Sequence, residues 1–147
     1  MWPFNKRKKW EKLGIACDMG KVWDYVQLLN PDDLFLRDRD YRCIPNDEFE
    51  TILFDCWFSN QEPAYKSDIF DCDDFAVCCM AEVKKQWARI SKGKEALAFG
   101  YIEAYVKEIG FHAFIWQLDH TGVVRFYEPQ SGKRVNYEFN SVRLIET

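Results

Sequence analysis

From Cys72 onward the chain reads in one order, a long amphipathic helix and then four short strand-like segments, and that order limits the folds open to it. In "CDDFAVCCMAEVKKQWARI" the residues Phe75, Cys78, Cys79, Val83 and Trp87 form an apolar stripe at helical spacing, and Gly93 supplies the stop. "EALAFGYIEAYV" then alternates, with Leu97, Phe99 and Tyr101 on one face. "GFHAFIWQLD" and "VVRFYEPQ" follow as strands, joined by "DHTG", where Gly122 suits a tight hairpin. "SGKR" is a second turn, leading into "VNYEFNSVRLIE". Helix followed by meander predicts an α+β layer arrangement, with the helix packed on an antiparallel sheet of about four strands.

The first half carries weaker signals. Val22, Tyr25, Val26 and Leu29 lie at helical spacing and stop before Asn30-Pro31. "LFLRDRDYRCI" reads as a short strand or an irregular arm. Phe49, Ile52, Leu53, Cys56 and Trp57 recur at the spacing of an amphipathic helix, with Asn46 or Asp47 available as its cap. With no repeat, low-complexity stretch or linker, one domain over residues 1–147 is expected: a basic segment at 1–12, a helical extension at 13–64 and a core at 65–147.

Composition narrows the function classes. Aromatic residues make up 17% of the chain and apolar residues 48%, which is a packed core rather than a disordered tail. Between Asp32 and Asp74 lie thirteen acidic residues and four basic ones, which argues against a nucleic-acid groove. No apolar run reaches the roughly 18 residues needed to cross a bilayer. "MWPFNKRKKWEK" lacks the apolar region of a secretory signal, so a cytoplasmic protein with reduced thiols is expected. That basic, aromatic head could touch an anionic membrane surface, although a solvated terminus is the expected reading.

Chemistry concentrates at "FDCDDF". Asp71 is placed as a helix N-cap, with Cys72 at the first helical position and Asp74 two further on. A helix N-terminus favours a thiolate, whereas three nearby carboxylates oppose it. An active Cys72 would therefore need a cation, and His112, opening the strand "GFHAFIW", is better placed than His120 in the hairpin turn. Hairpin arithmetic across "DHTG" sets His112 opposite Glu128, so Cys72, His112 and Glu128 form the candidate catalytic set. No metal site is expected: the cysteines lack a C-x₂-C pair, and "DIFDCDD" lacks the spacing of a calcium loop. No cofactor is implied.

"FDCDDFAVCCMAEVKK" resembles the nucleophile helix of bacterial transglutaminase-like cysteine proteinases, and "HAFIWQLDHTGVVRFYEPQSG" resembles the segment there that carries the histidine and acid. The resemblance runs from about Tyr65 to Gly132. It implies a papain/transglutaminase-like core with N-terminal helices, Cys72 as nucleophile, His112 as general base and Glu128 as orienting acid. Tyr65 or Gln61 would give the oxyanion donor, beside the backbone N–H of Cys72. The implied activity is cysteine-dependent acyl transfer or amide hydrolysis on a peptide, isopeptide or protein substrate. The alternative is an inactive transglutaminase-like fold used for structure or binding, for example in a bacteriophage.

Overall fold

The structure, a computed structural model, describes residues 10–59 and 71–147. Most of the basic head, residues 1–9, lies outside that range, as do Gln61 and Tyr65 and the side chain of Trp57.

A 3₁₀ turn at Trp10–Lys12 leads into strand β1 (Ile15–Asp18) and helix α1 (Met19–Val26). Asp18 caps α1 by accepting from the Lys21 amide at 2.9 Å, and Val22 and Val26 turn inward. A further 3₁₀ turn at Gln27–Leu29 ends at Asn30, whose φ of 50° is the left-handed stop that asparagine tolerates. Strands β2 (Pro31–Phe35) and β3 (Asp40–Cys43) follow, then helix α2 (Asn46–Ser59), which buries Phe49, Ile52, Leu53 and Cys56.

Helix α3 runs over Cys72–Ser91. Asp71 caps it, and the Asp74 carboxylate accepts from the Asp71 amide at 3.3 Å. The helix ends at Lys92 and Gly93, both at positive φ, and the Trp87 indole N–H reaches the Glu95 carbonyl at 2.9 Å to fix the turn that follows. Its buried stripe is Ala76, Cys79, Val83 and Trp87. Cys78, expected in that stripe, is exposed, because the helix is turned so that Cys79 takes the core position.

The remaining strands are β4 (Ala96–Leu97), β5 (Phe99–Val106), β6 (Gly110–Leu118), β7 (Val124–Glu128), β8 (Lys133–Val135) and β9 (Phe139–Glu146). They do not make the expected four-stranded antiparallel sheet. The described strands form a six-stranded sheet in the order β2-β9-β5-β6-β7-β8 and a three-stranded sheet in the order β1-β3-β4. β5 to β8 do form a meander, but β9 leaves β8 and crosses back to pair with β5. β2 lies parallel to β9, and β3 parallel to β4. The papain/transglutaminase-like plan of a helical extension on a four-stranded core is thus corrected. The segment read as helical contributes β1, β2 and β3, and the molecule is richer in sheet than its sequence suggests.

Apolar clusters cover both faces of the large sheet. On one side α2 and α3 pack through Phe49, Leu53, Val83 and Trp87 onto Phe99, Ile115 and Tyr127. On the other, α1, β1 and β3 pack through Val22, Val26 and Tyr41 onto Ile102, Phe114 and Trp116. Strand β6 is therefore buried on both faces from His112 onward, which explains its nearly unbroken apolar run. Two close contacts tie neighbouring segments together. The guanidinium of Arg42 on β3 grips the Glu95 carboxylate through Nε at 2.6 Å and a terminal nitrogen at 3.1 Å. At Gly100 the sheet is so close that a Cβ would sit 1.9 Å from the Glu146 carbonyl oxygen of β9.

Candidate functional site

The candidate site forms where the first turn of α3 meets β6. Because Cys72 leads α3, and α3 lies across β6, the thiol reaches the backbone N–H of Ala113 and accepts a hydrogen bond from it. Burial nevertheless pushes the Cys72 thiol up, and the charges of Asp71 and Asp73 push the same way against the pull of that N–H. Asp71 is itself raised, first by a hydrogen bond shared with Asp73 and also by the charges of Asp73 and Asp74.

His112, next to Ala113, points to the opposite face of β6. It is 9% exposed, and its Nε2 lies 2.7 Å from Glu128 Oε2. The same carboxylate oxygen accepts from the Tyr137 hydroxyl at 3.0 Å, and Oε1 takes the Gln130 amide at 3.4 Å. Burial and the Glu128 charge push Tyr137 up to about 12, so its hydroxyl stays a donor. Phe114 stacks on the imidazole at 5.6 Å and Tyr137 meets it edge-on at 5.8 Å.

His112 and Glu128 come together by a route other than the expected one. Strands β6 and β7 pair Ile115 with Tyr127 and Trp116 with Phe126, a register two residues from that assumed. Continued, it sets Phe114 opposite Glu128, and the carboxylate reaches His112 on the diagonal. A two-residue slip keeps both side chains on one face, whereas a slip of one would have parted them. His120 is exposed in the hairpin turn and takes no part. Tyr137 was missed because it sits between β8 and β9, and only its place after the "SGKR" turn hinted that it would fold back over Glu128.

The side-chain ligand atoms of Asp71, Cys72 and Asp73 lie within 4.8 Å of one another. Two hard carboxylates and one soft thiol make a poorly matched donor set for a single cation.

Helices thus cover one face of a six-stranded mixed sheet and a smaller sheet covers the other, with an aromatic-walled histidine–carboxylate cluster at the sheet rim. A family model described as "Agglutinin C-terminal" matches residues 41–134. The chain belongs to that agglutinin C-terminal family. Among solved structures it is similar to PSL1a in its complex with E64, with 25% identity and a TM-score of 0.70 over 90% of this chain and 51% of that one. It is also similar in fold to the Polyporus squamosus lectin bound to the human-type influenza-binding epitope Neu5Aca2-6Galb1-4GlcNAc, with 24% identity and a TM-score of 0.70 over 88% of this chain and 49% of that one. This chain therefore spans about half the length of the chains it matches. A comparison with curated protein sequences returned no match.

These findings overturn the transglutaminase-like and papain-like assignment, and with it the cysteine-dependent acyl transferase or hydrolase acting on peptides. The phage-associated transglutaminase-like alternative falls as well. The site supplies a physical reason. Burial and the carboxylates crowding it push the Cys72 thiol up, while the His112 imidazole pairs with Glu128 on the other face of β6.

Proposed function

We propose that the chain serves as the C-terminal module of an agglutinin-type protein that recognises carbohydrate, and that His112, Glu128 and Tyr137 supply its sugar contacts. The observation that carries this reading is the family match over residues 41–134. The Polyporus squamosus lectin, whose fold is similar, is a lectin with a bound sialylated glycan. The cluster's chemistry suits the role. Sugar hydroxyls donate and accept at once, so they are met by fixed carboxylate, imidazole and phenol groups beside aromatic rings.

Isothermal titration of the chain with Neu5Aca2-6Galb1-4GlcNAc tests the reading. Saturable binding with a dissociation constant below about 1 mM, or more than about 4 kcal/mol, is expected. Glu128→Gln is expected to weaken it about tenfold or more, since a hydrogen bond to a charged group is worth about 1.5–3 kcal/mol. No heat with this or any related glycan at millimolar concentration would sink the reading.

A second reading rests on the PSL1a–E64 complex. In this chain Cys72, at the head of α3, would be the contact for E64. Native mass spectrometry should find E64 retained by the wild type and lost in Cys72→Ala; retention by the variant would place the ligand elsewhere.

A further inference from the structure

The chain's six cysteines are all free, and two of them meet away from the candidate site. Cys17 lies on β1 and Cys43 on β3, neighbouring antiparallel strands whose register pairs Ile15 with Cys43 and Cys17 with Tyr41. Cys17 and Cys43 are therefore diagonal neighbours on one face of the ladder. Their thiols are hydrogen-bonded to each other. Both are buried, Cys43 at 2% exposure and Cys17 at 8%. A cavity of about 360 Å³ is lined by Ala16, Cys17, Asp18, Asp40, Tyr41, Lys94 and Glu95. Cys17 is in that lining and Cys43 is not, so a small molecule in the cavity reaches the Cys17 end of the pair first.

We propose that Cys17 and Cys43 are a built redox pair, which peroxide closes to an intrachain disulfide by attack at Cys17. The electrostatics agree with the order of events. The hydrogen bond from Cys43 lowers the Cys17 thiol, against the effect of burial; Lys21 and Arg42 help and Asp18 opposes. Cys43, the donor in that bond, is raised by it and by burial, with Asp119 adding to the effect and Lys21 opposing it.

In the first step the Cys17 thiolate attacks hydrogen peroxide. An S–O bond forms, the O–O bond breaks, and the departing oxygen leaves as water after taking up a proton, giving a sulfenic acid. In the second step the Cys43 sulfur attacks the Cys17 sulfur, the S–O bond breaks, and a second water leaves with the Cys43 proton. Two thiols are oxidised and one peroxide is reduced to two waters. Diagonal neighbours stand roughly 7–8 Å apart, so strands β1 and β3 must draw slightly together for the sulfurs to reach the roughly 2.05 Å of a disulfide.

The test is a hydrogen peroxide titration of the full chain, followed by peptide mapping under non-reducing conditions. The expected product is a single cross-linked peptide pair joining Cys17 to Cys43, formed before Cys72 or exposed Cys78 is consumed. It should be reversed by dithiothreitol and accompanied by a melting temperature several degrees higher. In Cys43→Ser, Cys17 should stop at the sulfenic acid and be trapped by dimedone. Should that variant fail to fold, the wild-type map alone decides. Oxidation of Cys78 with Cys17 and Cys43 still reduced, or cross-linking of Cys17 to any other cysteine, would overturn the proposal.

Discussion

Asp119 shows how much one buried side chain carries. It is 1% exposed, and Oδ1 accepts from the Thr121 amide and hydroxyl and from the Val123 amide, while Oδ2 takes Arg125 Nε at 2.9 Å. Burial alone would raise this carboxyl, but the donors outweigh it and hold Asp119 below the usual carboxylate range. The stability it gives is present above the unfolded value of about 4 and is lost as pH falls through the lower folded one. Asp119→Asn is expected to lower stability in urea at pH 7 by about 1.5–3 kcal/mol, and the gap from wild type should narrow below about pH 4. A gap constant across pH would mean that the charge plays no part. Cys72 behaves in the opposite sense. With its thiol raised, alkylation near pH 7.5 should be slower than for an unfolded-chain cysteine, becoming fast only at a pH above the ordinary thiol range. Asp73→Asn should speed it. Fast, pH-independent labelling at neutral pH would contradict this electrostatic picture. The helix cap, the placing of Cys72 and the approach of His112 to Glu128 were all legible, because capping and alternation are local rules. Tyr137 was not, because nothing near it in sequence says where it folds back.

At the scale of elements, the strands were easier to find than to pair. Strand β6 announced itself as a continuous apolar run, and burial on both faces explains why. Trp116 is fully buried on it, with its indole N–H donating to the Glu146 carbonyl at 3.2 Å. Trp116→Ala should therefore cost about 3–5 kcal/mol, read as a lower urea midpoint with an unchanged slope. A loss below about 1 kcal/mol would show that the two layers close over the gap. Strand β2 gave almost no signal. "PDDLF" has two exposed aspartates and no clear alternation, since it is held by its backbone to β9 at one edge of the sheet. The two-residue β4 is shorter still and exists because β3 lies beside it.

For the whole molecule, the sequence conveyed the order of the elements and missed the closure. β9 is inserted between β2 and β5, so the last strand pairs with segments far from it in the chain on both sides. The ends of this pairing are fixed by Thr147, whose amide donates to the Phe35 carbonyl at 3.1 Å and whose hydroxyl bonds the Tyr41 hydroxyl at 3.0 Å. Such contacts have no local signature, which is why a plain four-strand meander was the reading from sequence. They also make folding slow, because loop-closure entropy is lost before they form. Stopped-flow refolding is expected in the range of about milliseconds to seconds, and a microsecond phase carrying the full amplitude would refute that.

The same strand order fixes how the molecule meets its own copies. Among the described residues the large sheet ends at β2 on one side and β8 on the other, so these are the strands that carry its outer ladder groups. β2 begins with proline and displays Asp32 and Asp33, while three-residue β8 displays Lys133 and Arg134. A neighbouring chain that tried to extend the sheet would have to strip water from those charges, at an edge too short to compensate. Brevity and charge at its two borders thus guard a highly aromatic protein against growing into a fibril.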